Sequence, residues 1–189
     1  MEARAPWADP VLMTADELLQ RSDDYWRYEL VDGRLVRMPP TGSKHGRIVM
    51  ALLRVVDRFV EEAQLGVVFP PETGFWISAA GAPDTVLAPD LAFLQASRAP
   101  DPQAEGFPRL APDLVVEVAS PSQGQPEMRV KAQRWLTAGV RVVWLVFPET
   151  RTVEVRRAQE PAHVVTDHDE LSGDDVLPGF VFPIRTLFS

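Results

Sequence analysis

Two near-continuous apolar runs, LVVEVA at residues 114–119 and VRVVWLVF at residues 140–147, do most to limit the folds open to this chain. A strand that is apolar along its whole length is covered on both faces, since a half-solvated strand alternates apolar with polar residues. Between the two runs, residues 127–137 read as a helix that ends at Gly139, the usual stop. Covering both faces of such strands requires helices above and below a sheet.

The rest of the chain supplies the other parts. Thr14 opens T-A-D-E, a capping-box pattern in which Glu17 reaches back, and a short helix through Leu18 and Leu19 should follow. YELVDGRLVRM is two alternating runs joined by Asp32-Gly33, a strong hairpin signal. A long helix is expected over residues 43–64, where Ile48, Leu52, Val55, Phe59 and Ala63 recur at helical spacing. VVF, GFWIS and TVLAPDLAFL read as strands, and TVEVRR should pair with the strand before it across Pro148-Glu149-Thr150. HVVT and the closing LPGFVFPIRTLF follow. No internal repeat or linker divides the chain. We therefore expect a loose arm at residues 1–12 and a single domain at 13–189, of α/β (α+β) class, with a mixed central β-sheet flanked by helices.

At 189 residues the chain is long enough for one buried core. It has no cysteine, which removes disulfides and thiolate metal sites from consideration. No apolar run reaches the length of a membrane span, and MEARAPWADP lacks the pattern of a secretion signal. A cytoplasmic protein without a membrane partner is expected. The net charge of -8 weighs against a polyanionic partner, yet residues 33–56 hold no acid while Arg34, Arg37, Lys44, Arg47 and Arg54 fall there. That stretch is either a solvated basic face or a contact for phosphate.

Glu117 is the most pointed single residue, because a carboxylate inside LVVEVA must be paired, protonated or metal-bound. Pairing with an arginine at the sheet edge is the plain structural alternative. Asp90 begins a second apolar strand in APDLAF, and two acids on neighbouring strands can share a hard divalent cation. Asp113 precedes its strand and reads as a turn or cap residue. Lys131 lies on the following helix beside the face that packs, although by itself an ion pair with Glu127 four residues earlier is the simpler account of it. Glu29 on the first hairpin strand could extend the acidic cluster, and His45 at a helix start could face a phosphate or merely cap. The chain shows no Ser-His-Asp arrangement, P-loop, Rossmann glycine pattern or zinc spacing.

The order of these residues resembles the PD-(D/E)XK nuclease superfamily and, more narrowly, the Uma-type endonucleases. The likeness runs from about Met13 to Phe188 through YELVDGRLVRM, His45, APDLAF, PDLVVEVASPS, Lys131 and Trp135 ahead of AGVRVVWLV, and LPGFVFP. It implies a restriction-endonuclease-like fold in which Asp90 and Glu117 are the two acids. The superfamily's lysine usually stands two residues after the second acid, where this chain has Ala119; Uma-type chains are similar, and Lys131 matches the residue that replaces it. The chain departs from the family pattern at Phe147, where an acid is common, and at Glu127, where Asp is common.

What the resemblance implies is metal-dependent hydrolysis of phosphodiester bonds, in nucleic acid and specifically DNA. Asp90, Glu117 and the Val118 carbonyl would hold Mg²⁺ or Mn²⁺, Lys131 would be the third catalytic residue, and Glu29 and His45 would be accessory. Arg34, Lys44 and Arg47 would contact the substrate backbone. Two other classes stay open: a nuclease-fold module that binds without cutting, and a hydrolase of small phosphorylated molecules. A homodimer is compatible with cutting both strands.

Overall fold

The computed structural model describes residues 12–21, 26–120 and 124–188. Apart from Leu12, the expected N-terminal arm lies outside the described residues, as do Pro121 and Ser122 of the SPS triplet.

Helix α1 (Ala15–Leu19) starts as expected, with Thr14 accepting from the Glu17 N–H and Glu17 accepting from Thr14 in return. Strands β1 (Arg27–Val31) and β2 (Arg34–Met38) form the hairpin. Its two turn residues, Asp32 at φ 50° and Gly33 at φ 73°, occupy the left-handed region that the tight turn requires. A side chain at Gly33 would also strike Leu12, whose Cβ lies 2.7 Å from where a new Cβ would stand. Helix α2 (Ser43–Glu62) follows, and then β3 (Gly66–Phe69), β4 (Phe75–Trp76), β5 (Val86–Leu87) and β6 (Leu91–Gln95). The second half contains β7 (Leu114–Val118), α3 (Gln125–Thr137), β8 (Val142–Phe147), β9 (Thr152–Arg156), β10 (His163–Thr166), β11 (Glu170–Ser172) and β12 (Val181–Pro183).

The central sheet has six strands in the order β10-β9-β8-β7-β6-β3. Only β7 and β8 run parallel, with α3 as their crossover, so the sheet is mixed as expected. Two smaller sheets accompany it, β2-β1-β5-β4 and β11-β12. TVLAPDLAFL is not one strand but two: β5 belongs to the hairpin sheet and β6 to the central sheet. Pro89 stands at the crossing, where its missing N–H breaks the ladder.

Strand alternation sorts the core into two layers. Leu114, Val116 and Val118 of β7, with Val142, Trp144 and Val146 of β8, pack with Ile48, Leu52 and Val56 of α2. Val115, Val143 and Leu145 point the other way, onto Met128, Ala132 and Trp135 of α3. Glu117 shares parity with Val115 and therefore lies on the α3 side. The buried stripe of α2 is rotated from the expected one: Val49, Val56 and Val60 are buried, Val55 and Phe59 are half-buried, and Ala63 is exposed. Asp113 is neither cap nor turn residue; it is buried, accepts from the Gln95 N–H at 2.9 Å and pairs with Arg98 at 2.5 Å. No helix among the described residues is long and apolar enough to cross a membrane.

Candidate active site

The C-terminal end of β7 and the N-terminal end of β6 meet at the same end of the central sheet, where Leu91 is opposite Val116. Asp90, the residue before β6, is fixed there twice. Its N–H donates to the Val116 carbonyl at 3.1 Å, and its Oδ2 accepts the Val118 N–H at 2.7 Å. His45, buried in the first turn of α2, reaches the same Oδ2 with Nε2 at 3.2 Å. Both contacts fall on Oδ2, so among the described residues Oδ1 has no hydrogen-bond partner. The Asp90 side chain stays 20% exposed toward a cleft of about 540 Å³.

Glu117 and Glu29 enter that cleft from different sheets. The break at Pro89 is what brings them together, because Ala88 carries the chain from β5 to β6 past β1 and donates its N–H to Glu29 Oε1 at 2.9 Å. Lys131 rises from α3 between the two acids. Its Nζ lies 2.8 Å from Glu29 Oε1, 2.9 Å from Glu117 Oε1 and 3.0 Å from Glu117 Oε2, and it also donates to the Ala88 carbonyl at 3.4 Å. One helical turn later, the fully buried Trp135 donates Nε1–H to Glu117 Oε1 at 2.9 Å.

Electrostatics follow from this packing. Burial pushes the Glu117 carboxyl up to about 7; Lys131 opposes the rise, and the negative charges of Asp90 and Glu29 add to it. Burial by itself would lower the Lys131 pKa, but the Glu117 and Glu29 carboxylates outweigh it and hold the ammonium above its ordinary value. The cleft thus contains a fixed cation among three carboxyl groups.

Five sequence-derived candidates therefore converge: Asp90, Glu117, Lys131, Glu29 and His45 all line the cleft. The surface pair expected between Glu127 and Lys131 does not form; Glu127 instead accepts the Gly124 N–H at the start of α3, at 3.3 Å. Nor does Glu117 pair with an arginine at a sheet edge. Lys44 is exposed and paired with Glu149 at 2.7 Å, and it lines a neighbouring pocket with His45 and Ser120. Arg47 lines a groove farther along α2, while Arg34 lines neither the acid cleft nor these neighbours. Sequence reasoning missed the polar role of Trp135. Its spacing of four from Lys131 on one helix face was the available signal. It also missed the opposite wall of the cleft, made by Arg27, Tyr28, Met38 and Pro71.

A family model described as "Uma2: Putative restriction endonuclease" matches residues 15–185. The chain belongs to the Uma2 family. Among solved structures, this Uma2 chain resembles a "putative nuclease belonging to DUF820" from Anabaena variabilis ATCC 29413. That likeness has a TM-score of 0.81 at 24% identity, covers 93% of this chain and 97% of the other, and shows a shared fold. No curated protein matches the chain.

A divalent cation is the group whose fit these donors decide. Among the described residues, no group of three or more His, Cys, Asp and Glu side chains has metal-holding geometry. What the cleft offers is two interacting carboxylates, one with an oxygen that no described residue engages, next to the Val118 main chain. That fits Mg²⁺ or Mn²⁺, which take few protein carboxylates and complete their shells with water and phosphate oxygen. It does not fit a soft-metal site, since the chain has no cysteine.

Proposed function

We propose that this chain is a PD-(D/E)XK-type nuclease that hydrolyses phosphodiester bonds of DNA with Mg²⁺ or Mn²⁺ as cofactor. The observation that carries the reading is the convergence of Asp90, Glu117 and Lys131, from three separate elements, on one cleft. Lys131 reaches there from α3, and Ala119 leaves the usual lysine position of the short motif empty of charge.

Asp90, Glu117 and the Val118 carbonyl are the groups that would hold the metal. Such an ion lowers the pKa of a bound water and draws charge from a phosphoryl oxygen. In hydrolysis the water oxygen bonds to phosphorus, the bridging P–O bond breaks, and the departing oxygen takes up a proton. Lys131 is kept protonated by Glu29 and Glu117, so it presents a permanent positive charge where negative charge grows on the phosphate. Glu29 anchors that ammonium from β1. His45 and the Val118 N–H hold Asp90 by Oδ2 and fix the orientation of its carboxylate.

The test is cleavage of supercoiled and linear DNA with each metal, for wild type and for Asp90→Asn, Glu117→Gln and Lys131→Met. Wild type should cut, and each variant should lose about 100-fold or more in rate while remaining folded. Wild-type cleavage by Glu117→Gln would overturn the assignment. Light scattering would show whether two copies associate, as cutting both strands favours.

One observation favours a second reading, a nuclease-fold module that binds without cutting. The Lys131 ammonium already bridges Glu29 and Glu117, which neutralises acids that a metal would otherwise share. Calorimetric titration with Mn²⁺ separates the two: binding that disappears in the Asp90→Ala/Glu117→Ala variant supports the enzyme, and no binding to wild type supports the module.

A further inference from the structure

Helix α2 carries a cationic face away from the acids, on a chain whose net charge is -8. Lys44, Arg47 and Arg54 are exposed on it, and with Arg151 from the β8–β9 turn they line a groove of about 990 Å³. Among the described lining residues Glu149 is the single acid, and it is paired with Lys44. The groove therefore has the sign opposite to that of the whole molecule. This is a property of folding as well as of sequence, because Arg151 is distant in the chain from residues 33–56, which hold no Asp or Glu.

Between the groove and the acid cleft is a small pocket that shares lining residues with each. Lys44 lines both the groove and a small middle pocket, and His45 and Ser120 line both that pocket and the cleft. From Lys44 to Arg54 the helix advances about 15 Å at its usual rise. That span matches about four phosphates of a B-form strand. Met50, 48% exposed in the same groove, adds apolar surface for sugar or base. The pairs Lys44–Glu149 and Arg151–Asp167 are exposed and therefore weak, so phosphate can compete for both cations.

We propose that a nucleic-acid strand emerging from the acid cleft runs along this face of α2, with Arg47, Arg54 and Arg151 contacting its phosphates. This replaces Arg34 with Arg54 and Arg151 in the backbone-contact set. The direction of the strand rests on the nuclease reading, whereas the polyanion-binding face rests on its own charges.

The experiment is binding of a fluorescein-labelled mixed-sequence DNA duplex, and of its separate strand, in chelator at several salt concentrations. Wild type should bind with strong salt dependence. Arg47→Ala/Arg54→Ala should weaken binding about tenfold or more at low salt and flatten the log–log salt slope by about 0.7–0.9 for each arginine removed. Arg134→Ala, on α3 against the opposite face of the sheet, should leave affinity and slope unchanged. Equal affinity and slope in the double variant, or an equal loss in Arg134→Ala, overturns the track. Cleavage by wild type together with unaltered binding by the double variant sinks the track alone. Salt-dependent binding that the double variant loses, with no cleavage under any metal, sinks the nuclease reading and keeps the track.

Discussion

Trp135 holds an oxygen of Glu117 from a position water does not reach. Replacing it with Phe keeps most of the buried ring and removes the donor. Trp135→Phe should lower stability by about 1–3 kcal/mol, the cost of a buried acceptor losing a partner. It should also weaken Mn²⁺ binding, since the carboxylate is then less firmly oriented; calorimetry on the folded variant measures both effects. Glu117 gives a second prediction. Its carboxyl rises from an ordinary 4.5 to about 7, so the folded state binds a proton more readily than the unfolded chain there. The associated stability is present below pH 4.5 and is lost as pH climbs through about 7. Urea unfolding across that window should therefore show Glu117→Gln gaining on wild type as pH rises; a difference independent of pH would refute it. At this scale the acids were legible because each adjoins apolar strand residues, Glu117 inside LVVEVA and Asp90 at the head of LAFLQ. Lys131 was ambiguous because which way a helical side chain points depends on how α3 seats on the sheet. Its spacing from Glu127 is the same whether or not that pair forms.

The elements position the site through their seating. Leu52, almost fully buried on α2, packs in the layer that faces β7. Leu52→Ala should cost about 2–5 kcal/mol, read from the urea midpoint, as large-to-small core changes do. The hairpin, both long helices and the strand order around Pro148-Glu149-Thr150 were legible, since turn residues and apolar periods carry them locally. The division of TVLAPDLAFL was not, for a reason that is tertiary: Val86–Leu87 and Leu91–Gln95 are both good strands, and only partner strands elsewhere decide that they join different sheets. The stripe on α2 was likewise displaced toward Val49, Val56 and Val60, because the layer that covers a helix sets which of its apolar residues are buried.

In the whole molecule, α2 and α3 pack on opposite faces of β6, β7 and β8, so neither layer can loosen without exposing the other side of shared strands. Tryptophan fluorescence and far-ultraviolet circular dichroism should accordingly report coincident urea transitions. An earlier fluorescence transition would instead indicate that the hairpin sheet, with Trp26 and Trp76, opens independently. The single crossover from β7 through α3 to β8 has one more consequence. It supplies Glu117, Lys131 and Trp135 within 18 positions of chain, whereas Lys131 meets Glu29 from β1, and His45 meets Asp90 across 45. One part of the cleft is thus a cassette local in sequence, and the other is drawn from distant stretches of chain. Circular permutants that open the chain outside β7, α3 and β8 would inherit the cassette whole, and the surrounding scaffold can diverge around it.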